Sequence, residues 1–564
     1  MKRKIGLFGC LFIFSLIGCF AAKNEISMTN ANLKKAKNPI LKTLIITDQS
    51  KEAFLFKYEH TSGIFIETGD FPGEQKLLKK KLEKYINRSF ISESTISKIT
   101  GDIHAFYKSE GRPFIEIQVP SQKVTSGILQ LIVYEGKIDK ISIEGNKYFK
   151  SKNLLKKISL KPGDFINTEV LADDLYWINR NPFRTAQAVY SPGRKTGTTD
   201  IEIFVNDRRA FRIYTGIENR GNDVTGNNRP FVGINFGNVF YADQLLSYQF
   251  TSSDKVKRFQ AHTVNYSIPL LWRHMLNIYG GYSHVDTDFS LINTGAPFHT
   301  SGFGMQTSMR YDIPFKSRRN LLHELTWGFD FKRTNNTLDF GGIPVSGKVV
   351  NLTQFMLGYN LGYSFQTAKI SWEIEGFASP GRWVSDQSNE RYQSLRPGAR
   401  NQYIYFRTSL GSEWAFWKDA SLNAYLRGQY ASQNLLPSEE YGLGGYDTVR
   451  GYKEREVNMD NVVIFNLELH APSVSLADVF RKYTKLQDKL VFLGFFDLAW
   501  GKAHKAEIGE NKEESLMGIG PGVRYSIGPY LIIKADYGFQ LKSLGSASLG
   551  GADRRLHFSA LIGF

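Results

Sequence analysis

Beyond its first twenty residues the chain has no apolar run long enough to form a membrane-spanning helix. Cysteine is almost absent. Cys10 and Cys19 are the two in 564 residues, and both lie in that first segment, so the rest of the chain can form neither a disulfide nor a cysteine metal site. A concentrated basic patch is also missing. The formal charge is +17, but apart from Lys2, Arg3 and Lys4 the excess is shared evenly between residues 23–207 and 208–564. A nucleic-acid footprint is normally clustered, so this spread points to solvated faces of mixed sign and to no nucleic-acid partner. Catalytic motifs appear only as near misses. Residues 342–349 fall one short of a phosphate loop, with Val349 where a hydroxyl should hold magnesium and Pro344 inside the turn. His323 and Glu324 begin a zinc-protease pattern that Trp327 breaks, and no Gly-x-Ser-x-Gly elbow occurs. No enzyme activity, cofactor or metal is expected.

What the chain does have is alternation. In residues 422–430, Leu422, Ala424, Leu426, Gly428 and Tyr430 share one face, opposite Asn423, Tyr425, Arg427 and Gln429. Residues 463–470 and 530–541 repeat the pattern, the latter setting Leu531, Ile533 and Ala535 against Lys534, Asp536 and Gln540. A period of two with one apolar face is a half-buried strand, and segments of about ten residues suit strands tilted across a bilayer. A soluble sandwich also alternates. The chain end favours the barrel: Phe558, Ala560, Ile562 and Phe564 share a face, and a terminal aromatic resembles the assembly signal of bacterial outer-membrane barrels. Outer-membrane lipid and the barrel assembly machinery are then expected partners. The 41 Phe and 28 Tyr fit interfacial girdles, although packed β cores use aromatics too.

Lys2, Arg3 and Lys4 precede an apolar stretch at 5–20, the layout of an export signal. Two processing readings are open. Leu16-Ile17-Gly18-Cys19 resembles a lipoprotein box, which would leave a lipidated Cys19, while Cys19-Phe20-Ala21 suits an ordinary cleavage site and a signal peptide over 1–21. Residues 22–60 are polar and lysine-rich, and read as a short helix near 30–42 with a linker, or as a disordered tail.

Two similar units follow, at 61–136 and 137–207, each ordered β-α-α-β-β. Strands are expected at 63–68, 114–119 and 127–134, and helices at 75–87 and 92–109 with Ser92 as N-cap and Gly111 past the end. The second unit places strands at 138–144, 186–190 and 199–205 and helices at 150–158 and 168–179. Within this frame, Val119-Pro120-Ser121-Gln122 leads into the run from Gly127 to Gly136. It resembles the first POTRA domain of the two-partner secretion transporters, the hemolysin secretion/activation or TpsB family. Ser191-Pro192-Gly193 through Ile201 resembles the last hairpin of their second POTRA domain.

The resemblance implies a transmembrane antiparallel β-barrel of about sixteen strands over 208–564. Two periplasmic α+β POTRA domains would precede it in the bacterial outer membrane. It implies secretion of an unfolded TpsA-like exoprotein, such as a hemolysin or adhesin, recognised by the POTRA domains with Pro120, Gln122 and Gly127 at the recognition strand. It also implies a signature loop at about 431–460 carrying Val449, Arg450, Gly451 and Tyr452, folded back into the lumen, with Arg450 paired to Asp497 of the motif Phe495-Phe496-Asp497. A planar guanidinium matches a carboxylate with two parallel hydrogen bonds, which suits the pairing. A barrel assembly factor would share the loop but usually carries more POTRA domains. A passive porin would have neither the units nor the pairing.

Overall fold

The computed structural model describes residues 39–49, 57–58, 60–222, 225–290, 297–316, 320–335, 349–479, 487–506, 510–544 and 553–564. The expected signal peptide, Cys19, most of the helix near 30–42 and most of the phosphate-loop near miss lie outside these residues. The chain divides into two compact units. The first runs to Asn146 and adds Lys150–Ile178 and Ala186–Asn206; the second holds Lys147–Phe149, Asn179–Thr185 and Asp207–Phe564.

The first unit is built on β1 (Thr43–Thr47), β2 (Gly63–Glu67), α1 (Gln75–Leu82), α2 (Glu93–Ser109), β3 (Ile115–Gln118) and β4 (Ile128–Glu135). These are followed by β5 (Lys137–Glu144), α3 (Ser151–Leu155), α4 (Thr168–Asn179), β6 (Arg184–Pro192) and β7 (Thr198–Asp207). Its two sheets are ordered β2-β1-β4-β3 and β5-β7-β6. Helix α2 begins as its sequence dictates: Ser92 Oγ accepts the Thr95 amide at 3.3 Å, satisfying a first-turn donor. It ends at Gly111, whose φ of +80° suits glycine. The spacing of Ile99, Ile103 and Phe106 forms a stripe that packs on Leu78 and Leu82 of α1 and on Leu129 and Leu131 of β4. Helices α1 and α3 are shorter than expected, α1 passing into a 3-10 turn at Glu83–Tyr85.

One boundary needs correction. Residues 22–60 were expected to be helix and linker, with the first domain starting at 61. Instead Thr43–Thr47 is the buried second strand of the first sheet, parallel to β4 from Thr43–Ile128 to Thr47–Ile132. The strand at 63–67 lies outside it as an edge. The physical reason is burial on both faces. Leu44 and Ile46 enter the main core, while Ile45 packs with Tyr58 and Ile128 on the other side. A strand buried on both faces has no period of two to read. The sheets expected as separate domains share one compact unit. The Thr168 amide donates to Gly111 O at 2.8 Å, Phe114 meets Tyr190 at 4.8 Å between ring centroids, and the Arg112 guanidinium lies over Phe165.

The second unit is a closed barrel of sixteen strands from Phe211–Glu218 to Arg554–Gly563, as expected. Its first and last strands pair from Glu218–Ser559 to Tyr214–Gly563, so no edge remains open. Burial alternates along the strands. In Asp488–Lys502, Leu493, Phe495, Asp497 and Ala499 are buried, while Phe492 and Trp500 project outward. Short turns at the end carrying both barrel termini expose Phe240, Trp272, Trp417 and Tyr530, an aromatic belt of the kind found at a membrane interface. Long connections occupy the other end, among them 381–401, which bears α5 (Asn389–Leu395), and 432–460. No helix among the described residues is long and apolar enough to cross a membrane.

Candidate functional site

The connection 432–460 folds into the barrel. A short hairpin, Tyr441–Leu443 with Val457–Met459, carries its tip inward. There Arg450, 3% exposed, meets the fully buried Asp497. Arg450 Nε donates to Asp497 Oδ2 and Nη2 to Oδ1, both at 2.8 Å, and the Arg450 amide donates to Oδ2 at 3.0 Å. The expected pair is therefore two-pronged, the strongest geometry available to these groups.

The structure also supplies partners that the motif did not reveal. Arg450 Nη1 reaches Glu468 Oε1 at 2.5 Å and Asp536 Oδ2 at 3.3 Å. Phe495 lies beneath the guanidinium, 3.7 Å from ring centroid to Cζ. Asn466, opposite Asp497 in the strand register, donates to Asp497 Oδ1 at 2.7 Å and to Thr448 O at 2.6 Å, binding wall and loop together. Glu468, Asn466 and Asp536 were legible as members of the face opposite the apolar one in alternating strands. Their convergence on one guanidinium was not, because it depends on the register of non-adjacent segments.

The other residues expected in the signature loop each have a distinct place. Val449 and Tyr452 are fully buried in an apolar cluster with Leu443, Ile464, Ala499 and Leu516. Tyr452 also donates to Met517 O at 3.1 Å. Gly451 has φ +101°; its amide meets His557 Nε2 at 3.1 Å and its carbonyl accepts from Gln540 at 2.9 Å. The wall makes room with glycine. A β-carbon on Gly538 would lie 2.3 Å from Gly451 N, and one on Gly518 would lie 2.1 Å from Arg450 O.

Phe564 pairs in both directions with Ile213 of the first barrel strand, at 2.8 and 3.2 Å, and its side chain is exposed. In the first unit, the Gln122 carboxamide bonds the backbone of Gln130 both ways, accepting its N–H at 2.7 Å and donating to its carbonyl at 2.8 Å, as a neighbouring strand would. Pro120 O also receives Gln122 Nε2 at 3.4 Å. Gly127, at φ +82°, accepts the Lys42 and Thr43 amides where β1 enters the sheet; a β-carbon there would lie 2.6 Å from Ile40 O. These three residues thus have internal partners. Gln122→Ala strips two backbone groups of β4 of their partner. It is expected to destabilise the first unit by about 1–3 kcal/mol, read as earlier protease cleavage of that unit in the full chain on heating.

Comparison with known proteins identifies the family and the fold. The family model described as "Haemolysin secretion/activation protein ShlB/FhaC/HecB" matches residues 197–525, and a POTRA model described as "Surface antigen variable number repeat" matches residues 136–208. The heme/hemopexin transporter protein HuxB of Haemophilus influenzae strain 86-028NP is 21% identical over 464 residues, covering 80% of this chain and 78% of its own. The outer membrane transporter CdiB of Dickeya dadantii is 22% identical over 399 residues, covering 68% of each chain. Among solved structures, CdiB from Escherichia coli superimposes with a TM-score of 0.75 at 16% identity, covering 96% of this chain and 93% of that one. CdiB from Acinetobacter baumannii gives 0.67 at 16% identity, covering 94% and 91%. These two support the fold. With a family match spanning more than half of its length, the chain belongs to the haemolysin secretion/activation family: it is a two-partner secretion transporter of the outer membrane, with periplasmic POTRA domains and a barrel through which an exoprotein is secreted.

Proposed function

We propose that residues 39–136 and 137–207 act as two POTRA domains that capture an unfolded exoprotein, a hemolysin or adhesin, by strand addition. Such binding satisfies backbone groups of any extended chain and leaves specificity to side-chain pockets. The order β5-β7-β6 puts β6 at an edge, and its nine residues exceed the four of edge strand β3. Pro120, Gln122 and Gly127 contribute by fixing β4 and β1 rather than by touching the cargo. Residues 208–564 form the conduit. The loop 432–460, seated by Arg450 on Asp497, is a working part of that conduit, and Phe564 is read by the barrel assembly machinery. The observation that carries this reading is the loop itself. A guanidinium on three carboxylates holds it inside a closed barrel, an investment in position that a passive pore does not require.

A photo-crosslinking residue at Val189, exposed on β6, tests the capture step. It is expected to join the exoprotein during export, while the same residue at Leu155, exposed on α3, is not. Equal capture at both positions, or at neither, rejects the β6 edge as the acceptor.

A further inference from the structure

The root of the inward-folded loop is held by a second arginine that no motif marks. Arg396 follows α5 in the connection 381–401 and is 4% exposed. It donates to the fully buried Asp460 in two-pronged fashion, Nη1 to Oδ1 at 2.8 Å and Nη2 to Oδ2 at 3.0 Å. Nη1 also reaches Leu435 O at 2.9 Å and Glu440 Oε1 at 3.0 Å, and Nε reaches Glu510 Oε1 at 2.8 Å. Asp460 is engaged from two further sides, by the Leu435 amide and the His504 amide, each at 2.8 Å. Residues 435 and 440 lie on the leg of the loop that enters the barrel, and residue 460 on the leg that leaves it. One guanidinium therefore ties both legs together. Packing reinforces the tie, since Tyr392 and Leu395 of α5 share a buried cluster with Leu435 and Leu436. The fully buried Glu439 adds a wall contact, accepting from Lys332 Nζ at 2.7 Å and from the Tyr405 hydroxyl at 2.8 Å.

From this arrangement we infer that Arg396 is a positioning residue for secretion: it clamps the root of the loop 432–460 and so aims the tip at its seat on Asp497. The inference rests on the reading of that loop as a working part of the conduit. Its physical basis is chain entropy and geometry. A loop held only at its tip must order every residue between its strands, whereas a clamp across both legs shortens the free segment and sets the direction of the hairpin. A rigid fork can fix the angle between two legs; a single point charge on a flexible stem cannot.

The test uses the full chain and two readouts. Trypsin cleavage at Lys453 and Arg455, inside the loop, reports release of the loop; secretion per assembled barrel reports its consequence. Arg396→Ala is expected to speed loop cleavage about tenfold or more and to lower secretion by a similar factor, with unheated gel mobility still that of a folded barrel. Asp460→Asn should do the same, and the double variant should be no worse than either single one, because both remove one clamp. Arg396→Lys should fall between wild type and Arg396→Ala. If Arg396→Ala fails to assemble, Arg396→Lys and Asp460→Asn carry the test. Wild-type loop protection in both overturns the clamp. A released loop with normal secretion overturns the positioning role. Arg450→Ala, measured alongside, then locates the fault: normal secretion there means that the loop itself is dispensable, and lost secretion means that Arg396 alone was misassigned.

Discussion

Arg450→Ala is expected to free the tip of the loop and to abolish most secretion while leaving the barrel assembled. Asp497 is fully buried, and after the substitution its remaining side-chain partner is Asn466. The other two carboxylates are better provided for. Asp536 keeps Arg524, at 2.5 and 2.9 Å, and Glu468 keeps His470 at 2.8 Å. The cost therefore falls on Asp497, and breaking a buried pair from one side costs about 3–5 kcal/mol. That shifts the balance between seated and released loop by about two to four orders of magnitude. Arg450→Lys should rescue poorly, because an ammonium reproduces neither the fork on Asp497 nor the flat contact on Phe495. A reciprocal exchange, Arg450→Asp with Asp497→Arg, conserves charge yet should also fail, since it sets a new carboxylate beside Glu468 and Asp536. The decisive measurement is a double-mutant cycle of Arg450→Ala with Asp497→Asn, read by secretion and by trypsin cleavage of the loop. Strictly additive effects would show that the two side chains do not act together.

Gly538→Ala should match Arg450→Ala in its effect on secretion, through sterics rather than charge. The added carbon would lie 2.3 Å from Gly451 N and 2.6 Å from the Arg450 carbonyl carbon. Both are backbone atoms of a segment pinned by the arginine, so the collision cannot be relieved by turning a side chain. The strand itself accepts alanine readily, so the barrel should still assemble and show heat-modifiable mobility. Gly518→Ala, 2.1 Å from Arg450 O, should behave alike. Gly494→Ala is the control: it meets nothing within 4 Å and should secrete normally. Normal secretion by Gly538→Ala would mean that the tip does not rest against the wall in the working protein.

The difference between what could and could not be read follows the distance over which each feature is specified. The barrel strands at 422–430, 463–470, 530–541 and 558–564 were legible because each carries its own period of two. The pairing of Arg450 with Asp497 came from two motifs in order, not from any local pattern. Strand β1 was missed because burial on both faces erases alternation, and its partner Ile128 lies far along the chain. Gln122 was noticed as part of a motif, but its substitution for a strand beside Gln130 is a property of folded geometry.

Alternation by itself marked strands in the second half of the chain and sorted their side chains onto two faces, since it depends on residues next to one another. Which inward groups meet was decided only by the tertiary structure. Glu468, Asp497 and Asp536 converge on Arg450 because barrel closure and strand register bring separate segments to one place. Arg396 finds Asp460, 64 residues away, and Glu510, 114 residues away, because three connections between barrel strands fold to the same end of the barrel. Charge carries no address in sequence. A guanidinium settles where burial makes an unpaired carboxylate most costly, and that place exists only once the wall is built.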